Sequence, residues 1–275
     1  MKPAPFDYIR AESVDEALDA LHELGDEARI LAGGQSLAAM LNMRLVRPAA
    51  LIDISALRVC DLAETRDDAI EVGAACTQAA LSRHLSRENS HPLLEAALPH
   101  VGHYQTRSRG TVCGSIAHAD PSAELPLCLA ALGGEVLLRS RHKRRRVPAE
   151  DFFLGVISTA CAPDEMIEAV RFPLPQPGYG YAFDEVSRRH GDFALAAFAA
   201  IAGPRTIRMA VGGVADRPVS REWPILEGAA LDDALNALAW ELRGQDDQHA
   251  TAAYRRGLVR KVGRRVMEEA MRCRG

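Results

Sequence analysis

Two glycine-bearing segments, far apart in the chain, carry the residues best suited to binding chemistry. The first runs from Ile30 to Leu37 and reads ILAGGQSL, and the second runs from Arg109 to Ile116 and reads RGTVCGSI. Each is a short apolar run that breaks into small residues and a hydroxyl. Glycine lets main-chain amides approach an anion without a side chain in the way. Two such segments that converge in space could hold both phosphates of a dinucleotide.

The first segment has the composition of a phosphate-binding turn. It would offer the amides from Gly33 to Ser36 and the Ser36 hydroxyl, and a helix expected over residues 38–45 would direct its N-terminus at a bound phosphate. A tight strand-to-helix turn that binds nothing is the alternative. Neither glycine segment has the G-x-G-x-x-G spacing of a Rossmann turn or the Gly-Lys-Ser/Thr of a P-loop, so a nicotinamide-binding Rossmann enzyme is disfavoured.

The second segment is followed by two acids. Thr111 and Ser115 offer hydroxyls beside exposed amides, and Asp120 and Glu124 offer acceptors that suit a ribose or ribityl hydroxyl. The alternative is that residues 120–122 only turn the chain, with Ser122 capping the next helix. His118 is interpreted as a structural or cofactor-shell residue. No spacing supports a Ser/His/Asp or Cys/His arrangement, and no catalytic residue is assigned.

The elements that would position these segments form two successive units. The first, residues 1–56, is predicted as a small α/β unit with a helix over 13–24 and strands over 28–32 and 51–54. The second, residues 57–174, is predicted to contain further strands and helices, including helices over 78–85, 91–101 and 122–132, a hairpin of 135–140 with 145–148, and a strand over 165–172.

A proline- and glycine-rich linker follows at residues 173–180. Beyond it, in residues 178–275, three strands over 181–186, 193–202 and 205–214 are predicted to form an antiparallel meander, and two helices over 231–242 and 251–272 close the chain. The fold class is therefore α+β.

Composition and charge exclude several classes of function. The chain has 275 residues with 33 basic and 37 acidic side chains, a net charge of -4 that gives no general attraction to nucleic acid. The basic run from Arg141 to Arg146 is interpreted as a solvated hairpin tip that could touch an acidic partner subunit. No membrane span and no signal peptide are recognised, so a cytoplasmic protein is expected.

Six cysteines are scattered without a C-x-x-C pair, so neither an iron–sulfur cluster nor a zinc site is expected on this chain, and no metal ligand is assigned. Reduced and mostly buried thiols are expected. Cys113 stands apart because it lies within the second glycine segment.

The two segments together, AGGQSL and RGTVCGSIAHADPSAELP, resemble the flavin-binding subunit of the molybdenum hydroxylases, the family of xanthine dehydrogenase and aerobic carbon monoxide dehydrogenase. The opening MKPAPFDYIRAESVDEAL, the stretch VPAEDFFLG from Val147 to Gly155 and the YRR from Tyr254 to Arg256 are also similar to that family. The resemblance runs in order over nearly the whole chain.

The resemblance implies a two-subdomain α/β FAD-binding domain of the PCMH type, followed by a C-terminal domain with an antiparallel sheet and helices. It also implies two partners, a small subunit with two [2Fe–2S] clusters and a large subunit with the molybdenum cofactor, in an expected dimer of heterotrimers. Substrate would be hydroxylated at molybdenum, and electrons would pass through the clusters to FAD and then to an external acceptor. The substrate is not readable from this chain.

The family also implies which residues would contact FAD. Residues 32–36 and 111–115 would hold the pyrophosphate and nearby groups, Glu124 matches an acidic position near the flavin's polar chain, and Val101 and Ile167 match apolar positions against the cofactor. The full set is Ile30, Leu31, Ala32, Gly33, Gly34, Gln35, Ser36, Leu37, Val101, Thr111, Val112, Cys113, Gly114, Ser115, Asp120, Glu124, Ile167, Asp184 and Phe193.

Three of these positions either have an alternative interpretation or differ from the residue found in relatives. Phe193 falls where some relatives place an aromatic ring near the isoalloxazine, and a core phenylalanine that starts a strand is the alternative. Asp184 lies where some relatives carry a lysine, so the charge near the ring would differ. Cys113 replaces a glycine common in the family, which is tolerable if its φ is negative. We expect an accommodated substitution and retained FAD.

The sequence therefore predicts an electron-transfer flavoprotein subunit in which FAD does the redox chemistry. Two alternatives stay open. One is a self-sufficient flavin oxidoreductase of a related fold, which would reduce its flavin with a small organic substrate when purified alone. The other is an architectural subunit that has lost flavin because of Cys113.

Overall fold

The computed structural model describes residues 2–57, 60, 63–88 and 91–274. Its first sheet has three parallel strands in the order β1-β3-β2, where β1 is Asp7–Arg10, β2 is Ala28–Leu31 and β3 is Ala50–Asp53. Helix α1, Val14–Leu24, begins at the cap Ser13, whose hydroxyl accepts from the Glu16 amide, and ends at Gly25 with φ 51°. It buries Ala17, Leu18 and Leu21 beside the sheet.

The second sheet has five strands in the order β4-β5-β10-β6-β7, all antiparallel to their neighbours. The strands are β4 Ala63–Arg66, β5 Ala69–Gly73, β6 Glu135–Arg139, β7 Arg144–Pro148 and β10 Met166–Pro173. A two-stranded ribbon of β8 Phe153–Gly155 and β9 Ser158–Thr159 lies between β7 and β10 in sequence. The expected β6–β7 hairpin is confirmed. The boundary expected at residues 56–57 lies beside residues 58–59, which are outside the described residues.

Further helices connect the strands of the first two sheets. They are α2 Leu37–Asn42, α3 Gln78–Glu88, α4 Pro92–Ala97, α5 Tyr104–Arg107, α6 Val112–His118, α7 Glu124–Leu132 and α8 Ala149–Phe152. The helix expected over 91–101 is shorter than predicted, because α4 gives way to a 3₁₀ turn, Leu98–His100, that contains Pro99. The helix expected over 38–45 ends at Asn42, and Arg44 beyond it has φ 58°.

The third sheet is an antiparallel meander of four strands: β11 Gly180–Val186, β12 Ala196–Ala202, β13 Thr206–Gly212 and β14 Val219–Pro224. Three of these were predicted, and β14 was not. Helices α9, Gly228–Glu241, and α10, Ala252–Arg272, follow as predicted, although α9 begins three residues early. Strand β12 is nearly all alanine, so both of its faces can be approached closely.

The two faces of β12 belong to two different cores. Ala197 and Ala199 join the large core that contains α4 and α7 and the five-stranded sheet. Phe198 and Ala200 join the core formed with α9 and α10. The C-terminal sheet is therefore covered by α4 and α7 on one face and by the last two helices on the other.

The basic hairpin contacts its own chain. Arg139 pairs with Asp15 at 2.6 Å and Arg141 with Asp19 at 3.2 Å, both on α1, and Arg145 makes two bonds to Glu165 of 2.7 and 2.6 Å. Residues 141–144 are exposed, as expected for a solvated tip. The Arg139 and Arg141 pairs join α1 to the second sheet.

Candidate functional site

The two glycine segments meet directly. A Cβ built on Gly33 would stand 2.2 Å from the carbonyl oxygen of Arg109 and 2.8 Å from the Cα of Gly110. Real Cβ atoms do not approach a backbone oxygen so closely, so only glycine fits at position 33. The close approach joins the end of β2 to the loop before α6.

The first segment is a bare turn. Gly34 has φ 70°, which glycine adopts without strain, and carries the chain from β2 into α2. Among the described residues, the main-chain amides of Gly33, Gly34, Gln35 and Ser36 find no acceptor. The Ser36 hydroxyl does not cap α2. These are the amides that were predicted from the sequence to bind phosphate. Helix α2, with six residues, is shorter than expected.

The second segment differs from the expected loop, because residues from Val112 onward form helix α6. Thr111 is its N-cap, and the Thr111 hydroxyl accepts from the Gly114 amide at 3.0 Å. The Val112 amide donates to Cys76 at 3.0 Å, and the Ser115 amide donates to Thr111 at 3.2 Å. Most of the amides expected to be free in this segment are therefore bonded within the chain, and the first segment carries more of the free donors.

Cys113 is accommodated as expected. It lies in the first turn of α6, is absent from the described residues with positive φ, and is 3% exposed. Its thiol contacts the Val72 carbonyl oxygen at 3.4 Å within the large core. Burial raises the pKa of the Cys113 thiol well above its usual range, so the thiolate needed for redox chemistry is suppressed.

Sequence reasoning missed Gln78. It is 5% exposed at the start of α3, and its main-chain amide donates to the Gly110 carbonyl at 2.9 Å. The side-chain Oε1 of Gln78 lies 3.2 Å from the position that a Cβ on Gly110 would take. That Oε1 is buried and has no hydrogen-bond partner among the described residues. A polar residue in the first turn of an amphipathic helix gives no signal by itself, so only the fold shows it beside the seam. The contact region of Gly33, Gly34, Gln78, Arg109 and Gly110 is called the glycine seam below.

The two predicted acids differ in their surroundings. The Asp120 carboxylate accepts from the Ser122 amide at 2.8 Å and turns the chain, whereas α7 begins at Glu124 with Ala123 as its cap. The prediction that Ser122 caps this helix is therefore wrong. Glu124 is 7% exposed, and burial raises the pKa of its carboxyl to about 7, with the neighbouring Glu185 acting in the same direction.

Asp184 and Phe193 lie at the same end of the C-terminal sheet. The Asp184 carboxylate pairs with Arg265 of α10, which offsets its negative charge. Phe193 precedes β12 instead of starting it and is 68% exposed, so the interpretation as a core phenylalanine is wrong. An exposed ring of this size is available to cover a ligand.

The apolar positions of the set occupy different environments. Val101 and Ile167 are buried in the large core, and Ile167 pairs with Leu138 across β10 and β6. Arg107 donates to the Val101 and Gly102 carbonyls at 2.9 and 3.0 Å, which ties Val101 to the helix before the seam. Ile30 and Leu31 end β2, Ala32 leads into the turn, and Leu37 begins α2.

No cluster of three metal-ligating side chains occurs among the described residues. Within the same ranges, no helix has the length and apolar content that a membrane crossing requires. The six cysteines, all within the described ranges, form no disulfide with one another, and four of them are buried.

Comparison with known proteins defines the class. Residues 4–175 match the family described as the FAD binding domain in molybdopterin dehydrogenase. The 6-hydroxypseudooxynicotine dehydrogenase complex subunit alpha of Paenarthrobacter nicotinovorans is 36% identical, over 98% of this chain and 96% of that protein. The carbon monoxide dehydrogenase medium chain of Afipia carboxidovorans is 33% identical, over 98% of both.

Solved structures agree with the sequence comparisons. A chain of reconstituted CO dehydrogenase from Oligotropha carboxidovorans superimposes with a TM-score of 0.94 at 29% identity, covering 99% of this chain and 100% of that one. The chain belongs to the FAD-binding subunits of the molybdenum hydroxylase family and is thus part of an oxidoreductase. The resemblance recognised in the sequence is confirmed.

The residues at the seam fit a dinucleotide. Glycine at position 33 lets the two turns meet. The Gly33–Ser36 amides and the Oε1 of Gln78 have no hydrogen-bond partner in the described part of the chain. Glu124 is a buried acid that forms no ion pair with an arginine or lysine of the described residues, as suits a carboxyl that accepts from a ligand hydroxyl. FAD supplies the hydride and one-electron chemistry when it is bound, and these residues would position it.

Proposed function

We propose that this chain is the electron-transfer flavoprotein subunit of a heteromeric molybdenum hydroxylase. It holds FAD across the glycine seam, receives electrons from [2Fe–2S] clusters on a small partner subunit and passes them to an external acceptor. A large partner subunit with the molybdenum cofactor oxidises the substrate. The complex is cytoplasmic and assembles as a dimer of heterotrimers.

The contact between Gly33 and Arg109 is the observation that carries the proposal. It brings the second segment against the first, whose Gly33–Ser36 amides have no acceptor among the described residues. Backbone amides of this kind bind anions through their fixed partial charges, without a basic side chain. We propose that the diphosphate of FAD lies against the first turn and that Ser36 and Thr111 supply hydroxyls.

The other residues of the set would position the remainder of FAD. Glu124 and Asp120 would accept from ribityl or ribose hydroxyls, and Phe193 would cover the isoalloxazine ring. Val101 and Ile167 would provide apolar walls. Asp184 would lie near the isoalloxazine ring, and Arg265 would offset its negative charge. The charge near the ring would then be close to neutral without the lysine that some relatives carry at this position.

The experiment is purification of the tagged chain from its native host. The proposal expects one FAD for each chain, two unlike copurifying subunits and the electron paramagnetic resonance signals of two [2Fe–2S] centres. A chain that arrives alone and reduces its own flavin with an organic substrate would instead establish a self-sufficient oxidoreductase. A flavin-free chain inside an intact complex would establish an architectural subunit.

A further inference from the structure

A buried group of ionisable residues lies between the helical layer and the C-terminal sheet. Glu185 of β11 has a side chain only 2% exposed, and its Oε1 is 3.3 Å from Nδ1 of His100 in the 3₁₀ turn. The second oxygen, Oε2, is buried and has no hydrogen-bond partner among the described residues. Glu124, at the start of α7, is within electrostatic range of both. The three residues are called the Glu124–Glu185–His100 unit.

The charges that face this unit do not neutralise it. Asp120 and Asp184 approach it from the loop before α7 and from β11, and Asp184 is already paired with Arg265. In the described part of the chain, no arginine or lysine forms an ion pair with Glu124 or Glu185. Two ionised carboxylates and one imidazolium would leave a net negative charge in a buried space, which is costly.

Retention of a proton removes that cost. The pKa of Glu124 is raised to about 7 because its carboxyl is buried. The pKa of His100 is raised from 6.5 because its ring is hydrogen-bonded to Glu185. Glu124 and His100 can therefore each retain a proton, and their titrations are coupled because each lies in the electric field of the other.

A row of imidazoles connects the unit with solvent. His100 is 31% exposed, and its ring centroid is 6.2 Å from that of His190. The ring centroids of His190 and His103 are 6.1 Å apart, and both of these histidines are exposed. At such separations one water molecule can bridge neighbouring rings. The loop that carries His190 also contains the arginines Arg188 and Arg189, of which Arg189 pairs with Asp192 at 3.1 Å.

We propose that the Glu124–Glu185–His100 unit is a proton-exchange site that takes up a proton from solvent through His190 and His103 when negative charge arrives at the bound flavin. The last clause rests on the proposed function. Helix α6, which separates the glycine seam from the loop before Glu124, is only about 10 Å long. One extended dinucleotide is therefore long enough to contact both the seam and Glu124. Electrons come from the partner's clusters, the proton comes from water, and only O–H and N–H bonds form or break.

Titration of the full chain tests the proton-exchange site without any flavin chemistry. With labelled histidines followed by NMR, the imidazole resonance that disappears in His100→Gln should titrate with a pKa above 6.5 in the wild-type protein. Glu185→Gln should lower that pKa by about one unit or more, since the opposite charge is removed, and Glu124→Gln should lower it less. Glu222→Gln, an exposed acid paired with Arg208, is the matched control and should leave it unchanged.

Infrared difference spectroscopy supplies a readout that does not depend on histidine. A protonated carboxyl band should titrate near pH 7 and vanish in Glu124→Gln but not in Glu222→Gln. The proposal is overturned if the His100 imidazole does not titrate above 6.5 in the wild-type protein or if Glu185→Gln leaves its pKa unchanged. Absence of the carboxyl band also overturns it. These measurements are made on the flavin-free chain, so they are separate from the proposed function.

Coupling to the flavin is tested by counting protons. FAD bound to the purified complex is reduced chemically in weakly buffered solution with an indicator dye. The wild-type complex should take up more protons per flavin than the Glu185→Gln variant at the same flavin content. Equal uptake would show that the site does not respond to the flavin and would overturn that part of the proposal.

Discussion

Gly33 lies against the carbonyl oxygen of Arg109 so closely that a Cβ on Gly33 would stand 2.2 Å from that oxygen. The contact joins a turn of the three-stranded sheet to the loop that begins α6. It explains why two glycine segments from distant parts of the sequence can serve one ligand. The absence of a side chain at position 33 is thus a requirement of the fold as well as of the site.

Substitution Gly33→Ala should separate the two turns. The added methyl group would lie within 2.9 Å of three backbone atoms of Arg109 and Gly110. Backbone atoms cannot move aside as the end of a flexible side chain can. We expect bound FAD to fall at least tenfold and the free energy of unfolding to fall by roughly 1 to 3 kcal/mol, as in overpacked cores. Flavin absorbance per protein and thermal unfolding measure both effects.

Gly257→Ala is the matched control for this substitution. Gly257 lies within α10, and a Cβ there meets nothing within 4 Å. Alanine should therefore leave flavin content unchanged and stabilise the helix by about 1 kcal/mol. If both glycine variants kept full flavin content, the close approach at the seam would not matter for binding.

Substitution Cys113→Gly should not improve flavin binding. The Cys113 side chain packs in the core, and its φ is not positive, so glycine relieves no strain there. Glycine would remove the packing contacts of the thiol and destabilise α6 by about 1 kcal/mol. We expect the same flavin content and lower stability. A maleimide should label exposed Cys273 in the native chain and leave Cys113 unlabelled. Recovery of flavin by Cys113→Gly in an otherwise empty chain would contradict the structural account.

The buried Glu124 predicts a specific dependence of stability on pH. Its folded-state pKa of about 7 exceeds the ordinary 4.5, so the folded chain binds a proton that the unfolded chain has lost between these values. Its contribution is therefore fully favourable below pH 4.5, and it declines as pH rises to about 7.

The comparison with Glu124→Gln isolates this contribution from those of other acids. The flavin-free variant should gain roughly 2 to 3 kcal/mol relative to the wild-type chain between acidic and mildly basic pH. Urea unfolding of both proteins at several pH values gives the difference. A difference that does not change with pH would show that Glu124 is ionised normally in the folded state.

Arg255 should be important for the C-terminal core. It is 6% exposed, it donates to the Leu195 and Gly213 carbonyls at 2.5 Å each, and it pairs with Asp247 at 2.5 Å. Arg255→Met leaves two partly buried carbonyls without this donor and should cost about 2 to 4 kcal/mol. The neighbouring Arg256→Met, which only removes a ring contact with Trp240, should cost under about 1 kcal/mol. Equal losses in chemical denaturation would contradict this assignment.

Much of the architecture could be predicted because periodic patterns report burial. Helix α1 was predicted with its Ser13 cap and its Gly25 end, and the C-terminal meander follows from strands separated by turn residues. Strand β1 was missed because its four residues are mostly exposed and show no alternation. Helix α6 was missed because Gly114 and the surrounding small residues are typical of a loop.

The site could be predicted only in part, for a related reason. Glycines and hydroxyls mark the two turns in the sequence, but their contact depends on how distant elements pack. Gln78, His100 and Glu185 carry no local pattern, and each becomes notable only through a neighbour distant in sequence. The exposure of Phe193 likewise depends on where β12 begins, which alternation in an alanine-rich strand does not define.

The most direct test is a structure of the purified complex with FAD bound. We predict that the diphosphate contacts the main-chain amides between Gly33 and Ser36, beside the Arg109–Gly110 backbone, with the polar chain of the flavin reaching Glu124. A diphosphate bound elsewhere on the chain, or two glycine turns that separate when the cofactor is present, would contradict the account.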